Sequence, residues 1–169
     1  MTETPQSTPQ DPAPAAGDAP DPAAGPDLRV DRIGTRRYVG SSARGARVEI
    51  GSADVEGVFT PGELLKLALG ACTAMASDFT LSRRLGDDYA ATVRVSGDAD
   101  REAERYPRLE ETYELDLSGL DPAMVDRVID MVRRSVDATC TVGRTITAGT
   151  EVTLDFRTGG AAPDGGAAG

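Results

Sequence analysis

One stretch constrains the rest of this chain: residues 60–85 read as a single helix with almost no polar face. Thr60 takes the N-cap position, Pro61 the first helical position and Glu63 the place that closes a capping box. Gly86 supplies the stop. Leu64, Leu65, Leu67, Leu69, Met75, Phe79 and Leu81 spread over more than one stripe of its surface. A helix that is apolar nearly all round must be enclosed. In a chain this short, a second copy of the same subunit is the natural source of the missing cover, so a homodimer is expected.

The segments around that helix alternate. Residues 28–33, 37–40 and 46–50 place apolar and polar side chains in turn, interrupted at Gly34 and Gly45, as short antiparallel strands do. Residues 55–59 read as a fourth short piece. Tyr89, Ala91, Val93 and Val95 form one longer strand. A second carries Leu109, Glu111, Tyr113, Leu115 and Leu117, with Glu110, Thr112, Glu114 and Asp116 on its wet face. Asp121 and Pro122 open another helix, whose stripe of Val125, Val128, Ile129, Val132 and Val136 extends to Cys140. Val152, Leu154 and Phe156 read as a closing strand. The order of strands, helix, two strands, helix and strand is an α+β pattern, with antiparallel strands around two cysteine-bearing helices.

Both ends lack these patterns. Residues 1–27 and 158–169 are rich in Pro, Ala, Gly and Asp and carry almost no branched apolar side chain, so disordered tails are expected on either side of one domain at 28–157. Acidic residues lie in both tails and basic ones in neither, so the domain is far less acidic than the formal charge of −10 implies. A mildly acidic domain with no basic stripe argues against nucleic acid as a partner. No basic start followed by an apolar stretch marks a secretory leader, and no segment reads as approaching the roughly 20 apolar residues of a membrane span. A cytoplasmic protein with reduced thiols and no membrane partner is therefore expected. Two cysteines and no histidine fall short of the ligand set of a structural zinc site, so no metal and no cofactor are expected.

The two cysteines, Cys72 and Cys140, carry the chemistry open to such a chain. If the sulfurs meet, a peroxide can oxidise one to a sulfenic acid and the other can convert it to a disulfide. The plainer reading is that a cysteine on an apolar helix is a small core hydrophobe. Only the thiolate attacks a peroxide, and an ordinary thiol, with a pKa of about 8.5, is mostly protonated at neutral pH. Cys72 lies well beyond the first turn of its helix, where the positive end of the macrodipole has faded. A cation is therefore expected beside it. Arg44, in the Gly- and Ser-rich turn at 40–45, is the best candidate, with Arg36 and Arg37 behind it.

Pro61-Gly62-Glu63-Leu64-Leu65, followed by Ala68-Leu69-Gly70-Ala71-Cys72 and later by Cys140-Thr141-Val142-Gly143-Arg144, resembles the OsmC/Ohr family of osmotically induced and organic hydroperoxide resistance proteins. The resemblance covers about 28–156. It implies an intertwined homodimer with the cysteine-bearing helices at its centre. It also implies reduction of organic hydroperoxides to alcohols, with Cys72 as the peroxidatic thiol and Cys140 as the resolving thiol. An Arg from the early strands and a Glu at the start of the first helix complete such a site, and an external dithiol, such as protein-bound dihydrolipoamide, restores it. In well-studied hydroperoxidases of the family the acid stands ten positions before the first cysteine, and that position here is Gly62. Glu63 falls nearly opposite Cys72 around the helix, at about 100° per residue, and reads as a capping residue. The alternative is therefore a stress-associated binding or redox-sensing protein on the same fold, without efficient peroxidase turnover. On the peroxidase reading Leu65, Leu69, Met75 and Phe79 are expected as an apolar shell around the first sulfur, favouring alkyl or lipid peroxides over hydrogen peroxide.

Overall fold

The computed structural model describes residues 27–149. They form two compact units that divide between Pro61 and Gly62. The expected tails and the closing strand with Val152, Leu154 and Phe156 lie outside the described residues.

The first unit is a three-stranded antiparallel sheet of β1 (Leu28–Gly34), β2 (Arg37–Ser42) and β3 (Arg47–Gly51), in that order. The alternation noted in the sequence matches its register: Tyr38 lies opposite Ile50 and Gly40 opposite Val48. Residues 55–59 do not make a strand. Only Phe59 forms an isolated bridge, to Ile50, because turns between Gly51 and Val58 leave no room for a ladder.

The second unit contains α1 (Pro61–Leu85), the two-stranded antiparallel sheet of β4 (Ala91–Ser96) and β5 (Glu110–Leu115), α2 (Pro122–Thr139) and α3 (Thr141–Ala148). Helix α1 starts and stops where its sequence signals stand, and Gly86 closes it with φ +93°, a left-handed conformation that a side chain resists. Asp121 caps α2 by accepting from the Met124 amide at 2.9 Å.

Helix α1 is not enclosed by the described residues. Its buried side is a ladder at every fourth residue, Leu69, Thr73, Ser77 and Leu81, while Leu67, Met75 and Phe79 are 51%, 79% and 71% exposed. Ser77 is fully buried, and its hydroxyl donates to the Thr73 carbonyl and pairs with the Tyr113 hydroxyl at 3.0 Å. Ser135 on α2 donates to the Ala76 carbonyl, and Val128 of α2 is completely covered. Gly70 faces β4: a Cβ there would stand 2.9 Å from Val95 Cγ2, so the missing side chain lets helix and strand approach closely. By length and mean hydropathy alone α1 does qualify as a membrane span, with 25 residues and a hydropathy of 1.3, contrary to the sequence expectation. Thr73 and Ser77 on its buried side are satisfied within this unit, as in the core helix of a folded domain.

Candidate active site

The second cysteine occupies a place that its apolar stripe does not describe. Helix α2 ends at Thr139, and Cys140, with extended backbone (φ −71°, ψ 92°), is at once the C-cap of α2 and the N-cap of α3. The short helix α3 is absent from the sequence reading. Its residues Thr141, Val142, Gly143, Thr145 and Ile146 are poor helix formers, and a cysteine is not among the usual capping residues.

This junction places both sulfurs at one helix start. Cys140 Sγ accepts the Gly143 amide at 3.4 Å. The next amide, that of Val142, donates to Cys72 and is the main reason its thiol is held below the ordinary range. Partial burial opposes that shift, whereas the Cys140 thiol and the Thr141 hydroxyl and amide reinforce it. Burial pushes the Cys140 thiol up, and its hydrogen bond to Cys72 adds to the rise, while the Gly143 amide and Thr73 act against it. Both cysteines are free; Cys72 is half-buried and Cys140 is buried. The surroundings therefore act in opposite directions on the two thiols, favouring charge on Cys72 over charge on Cys140. An amide dipole at a helix N-terminus favours an anion in this way. Thr73, absent from the sequence-derived site, completes the cluster with its hydroxyl 3.9 Å from Cys140 Sγ. The available signal was its place on the ladder through Leu69, Ser77 and Leu81.

The predicted arginines belong to the other unit. Arg44 sits exposed in the turn between β2 and β3. Arg36 donates to Ser52 Oγ at 2.7 Å, and Arg37 pairs with Glu49 at 3.2 Å. Within the second unit the activation of Cys72 comes from amides of α3 rather than from the expected cation. The apolar shell is also only partly assembled: Leu69 is buried, while Met75 and Phe79 face outward.

A cavity of about 620 Å³ adjoins the second sulfur, lined by Cys140, Leu69, Leu109, Val136, Ile146 and Arg144 among others. Tyr106 forms part of the same wall, with the Lys66 ammonium 5.0 Å from its ring centre. Its hydroxyl occupies the place beside Gly62, so that a Cβ built there would overlap it. The space a side chain at position 62 would enter is thus filled by a phenol. Among the described residues no cluster of three or more His, Cys, Asp or Glu could hold a metal.

Residues 53–155 match the family model described as "OsmC-like protein". The chain belongs to the OsmC-like family. An uncharacterised protein of Mycobacterium tuberculosis (strain ATCC 25618 / H37Rv) is 62% identical over 128 residues, covering 76% of this chain and 93% of its own length. An uncharacterised protein of Mycobacterium bovis matches to the same extent. Among solved structures, an OsmC-like protein from Mycoplasma pneumoniae is similar in fold, with a TM-score of 0.56 at 12% identity over 74% of this chain and 89% of its own. A hypothetical protein from Aquifex aeolicus VF5 reaches the same TM-score at 14% identity, over 75% and 90%. At these identities the likeness establishes the α+β OsmC-like fold.

Proposed function

We propose that this OsmC-like protein is a thiol peroxidase that reduces organic hydroperoxides to alcohols in the cytoplasm, as a homodimer. The Cys72 thiolate attacks the outer oxygen of ROOH. The O–O bond breaks, its electron pair leaves on RO⁻, and RO⁻ takes a proton from water to give ROH. Cys72 becomes a sulfenic acid. The Cys140 sulfur then displaces its hydroxyl, the Cys140 proton leaves with it as water, and a disulfide joins the pair. An external dithiol returns both to thiols.

The observation that carries this reading is the meeting of both cysteines at the start of α3, where Cys140 Sγ accepts the Gly143 amide at 3.4 Å and the Val142 amide acts on Cys72. Burial pushes the Cys140 thiol up, while the Val142 amide holds the Cys72 thiol below the ordinary range. A nucleophile beside a protonated partner is the arrangement that two-step thiol chemistry needs. The exposed Leu67, Met75 and Phe79 on α1 support the dimer, since a second copy would cover them and complete an apolar shell. Arg44 would then act on Cys72 from the assembled protein.

Stopped-flow oxidation of the reduced protein by cumene hydroperoxide and by hydrogen peroxide tests the reading. Faster oxidation by the organic peroxide, abolished in Cys72→Ser, is expected. Equal and slow consumption of both oxidants favours a second reading, a binding or redox-sensing protein on the same fold. That second reading is favoured by Gly62, which carries no side chain and has the Tyr106 hydroxyl where its Cβ would stand.

A further inference from the structure

Thr73 uses its hydroxyl differently from two other helical threonines. Thr139 and Thr147 return theirs to the carbonyl four residues back, Ser135 at 2.8 Å and Gly143 at 2.9 Å, the local bond that a helix offers such a side chain. The hydroxyl of the buried Thr73 meets Cys140 Sγ instead, at 3.9 Å. On the ladder with Leu69, Ser77 and Leu81 a valine would fill the same space with no hydroxyl to satisfy, so burial alone does not explain a threonine there. Its turn of α1 is held in place, since Ser77 donates to the Thr73 carbonyl and pairs with the Tyr113 hydroxyl. Cys140 is the sulfur that needs a donor. It is 2% exposed, so water does little to hold charge on it, and burial pushes its thiol up. The Gly143 amide at 3.4 Å and the Thr73 hydroxyl both act against that rise. The amide is fixed in the backbone, whereas the hydroxyl turns about its own C–O bond and either accepts from a thiol or donates to a thiolate.

We infer that Thr73 is a catalytic residue of the resolving step, its hydroxyl donating to Cys140 Sγ as that buried sulfur loses its proton and attacks Cys72. The inference rests on the proposed peroxidase cycle and gives its second step a residue. In that step Cys140 Sγ bonds to the sulfur of the Cys72 sulfenic acid, the S–O bond breaks, and its electron pair leaves on the hydroxyl. The Cys140 proton joins that hydroxyl as water. Thr73 keeps its own proton throughout and turns it toward the sulfur, beside the Gly143 amide, as charge gathers there. A hydrogen bond to a charged group is about twice as strong as one between neutral groups. The contact therefore strengthens along the step, which is the property that lowers a barrier. Thr73 follows Cys72 directly in α1, so adjacent residues carry the sulfur that is attacked and the donor to its attacker. The other titratable or charged groups around Cys140 are Cys72 on α1, Asp137 of α2, Arg144 of α3, Tyr106 and Arg108 before β5, and Glu111 of β5.

The test separates the two steps of oxidation by cumene hydroperoxide in rapid-quench experiments, with sulfenic acid trapped by dimedone and counted by mass spectrometry. Thr73→Val is expected to form the Cys72 sulfenic acid at the wild-type rate and to convert it to the disulfide roughly tenfold more slowly, so that the sulfenic acid accumulates. Thr73→Ala, which cannot overpack the ladder, is expected to do the same. Thr73→Ser keeps the hydroxyl and loses only the methyl, and it is expected to convert at the wild-type rate. Wild-type conversion in Thr73→Val and Thr73→Ala, or equal slowing in Thr73→Ser, overturns the inference. A second measurement needs no peroxide. In Cys72→Ser, with carbon-13 at the cysteine Cβ, the one remaining thiol is titrated by NMR. Adding Thr73→Val should raise its midpoint and adding Thr73→Ser should leave it in place, with every other charged group around Cys140 unchanged. A midpoint that Thr73→Val does not move also overturns the inference. If hydroperoxide fails to oxidise the wild-type protein while Thr73→Val still raises that midpoint, the peroxidase reading falls and the donation from Thr73 to Cys140 stands.

Discussion

The first turns of α1 and α3 begin with different kinds of residue and serve different ends. Helix α1 opens on Thr60 and Pro61, signals that any chain can use, and its second residue, Gly62, lies against the Tyr106 hydroxyl. Helix α3 opens on a sulfur, and two of its first amides point at sulfurs. The start of the long helix is thus closed by packing, and the start of the short one is held by chemistry. A helix start can serve as an anion holder only where its amides are left for something other than the chain's own caps.

The comparison can be broken most severely at the sulfur that receives the charge. Cys72→Ser is expected to drop hydroperoxide consumption to the uncatalysed background while circular dichroism stays native, in a coupled dithiol assay. At the other turn, Gly62→Glu forces a side chain onto the Tyr106 hydroxyl, and a loss of about 1–3 kcal/mol in urea unfolding is expected from overpacking. Tyr106→Ala in the same chain should recover part of that loss, and no recovery would show that the overlap is not the cause.

A finer test removes one amide. Val142→Pro deletes the N–H that bonds Cys72, in the first turn of α3, where the helix itself does not need it. Iodoacetamide alkylation of Cys72 against pH should then have its midpoint moved up, toward the ordinary thiol range, and should run severalfold slower at neutral pH. The sign follows from the lowered thiol: its contribution to stability is present above the ordinary thiol pKa and is lost as pH falls through the depressed value. The raised Cys140 thiol works oppositely, contributing below its ordinary pKa and losing that contribution as pH rises through the raised one. The smallest effect is expected outside both turns. Asp121→Ala at the α2 cap should cost about 1 kcal/mol in unfolding and leave Cys72 alkylation unchanged.

What was legible in the sequence followed the same divide. Thr60, Pro61 and Gly86 announce α1, and Asp121 and Pro122 announce α2, because capping is local chemistry written in adjacent residues. The strands β1 to β5 follow their alternation for the same reason. Helix α3 was not legible, since a cysteine cap and β-branched residues around a glycine resemble a loop. The apolar stripe of α2 ran on to Cys140 without a sign that the backbone turns there. Thr73 and Ser77 were hidden among small residues. Their burial depends on Cys140 and Tyr113, which lie far along the chain and reach them only through folding. The search for a cation at Cys72 missed the amides of α3, because a donor that belongs to the backbone leaves no letter in the sequence.

Lys66 is the chain's single lysine. Its ammonium lies over the Tyr106 ring and donates to the Gly97 carbonyl at 2.5 Å. An amine-directed fluorophore or crosslinker therefore has one side-chain address on this molecule, fixed against the aromatic wall of the sulfur cavity. Labelling kinetics at that address read out the wall's opening in the unmutated protein, with no tag to be engineered.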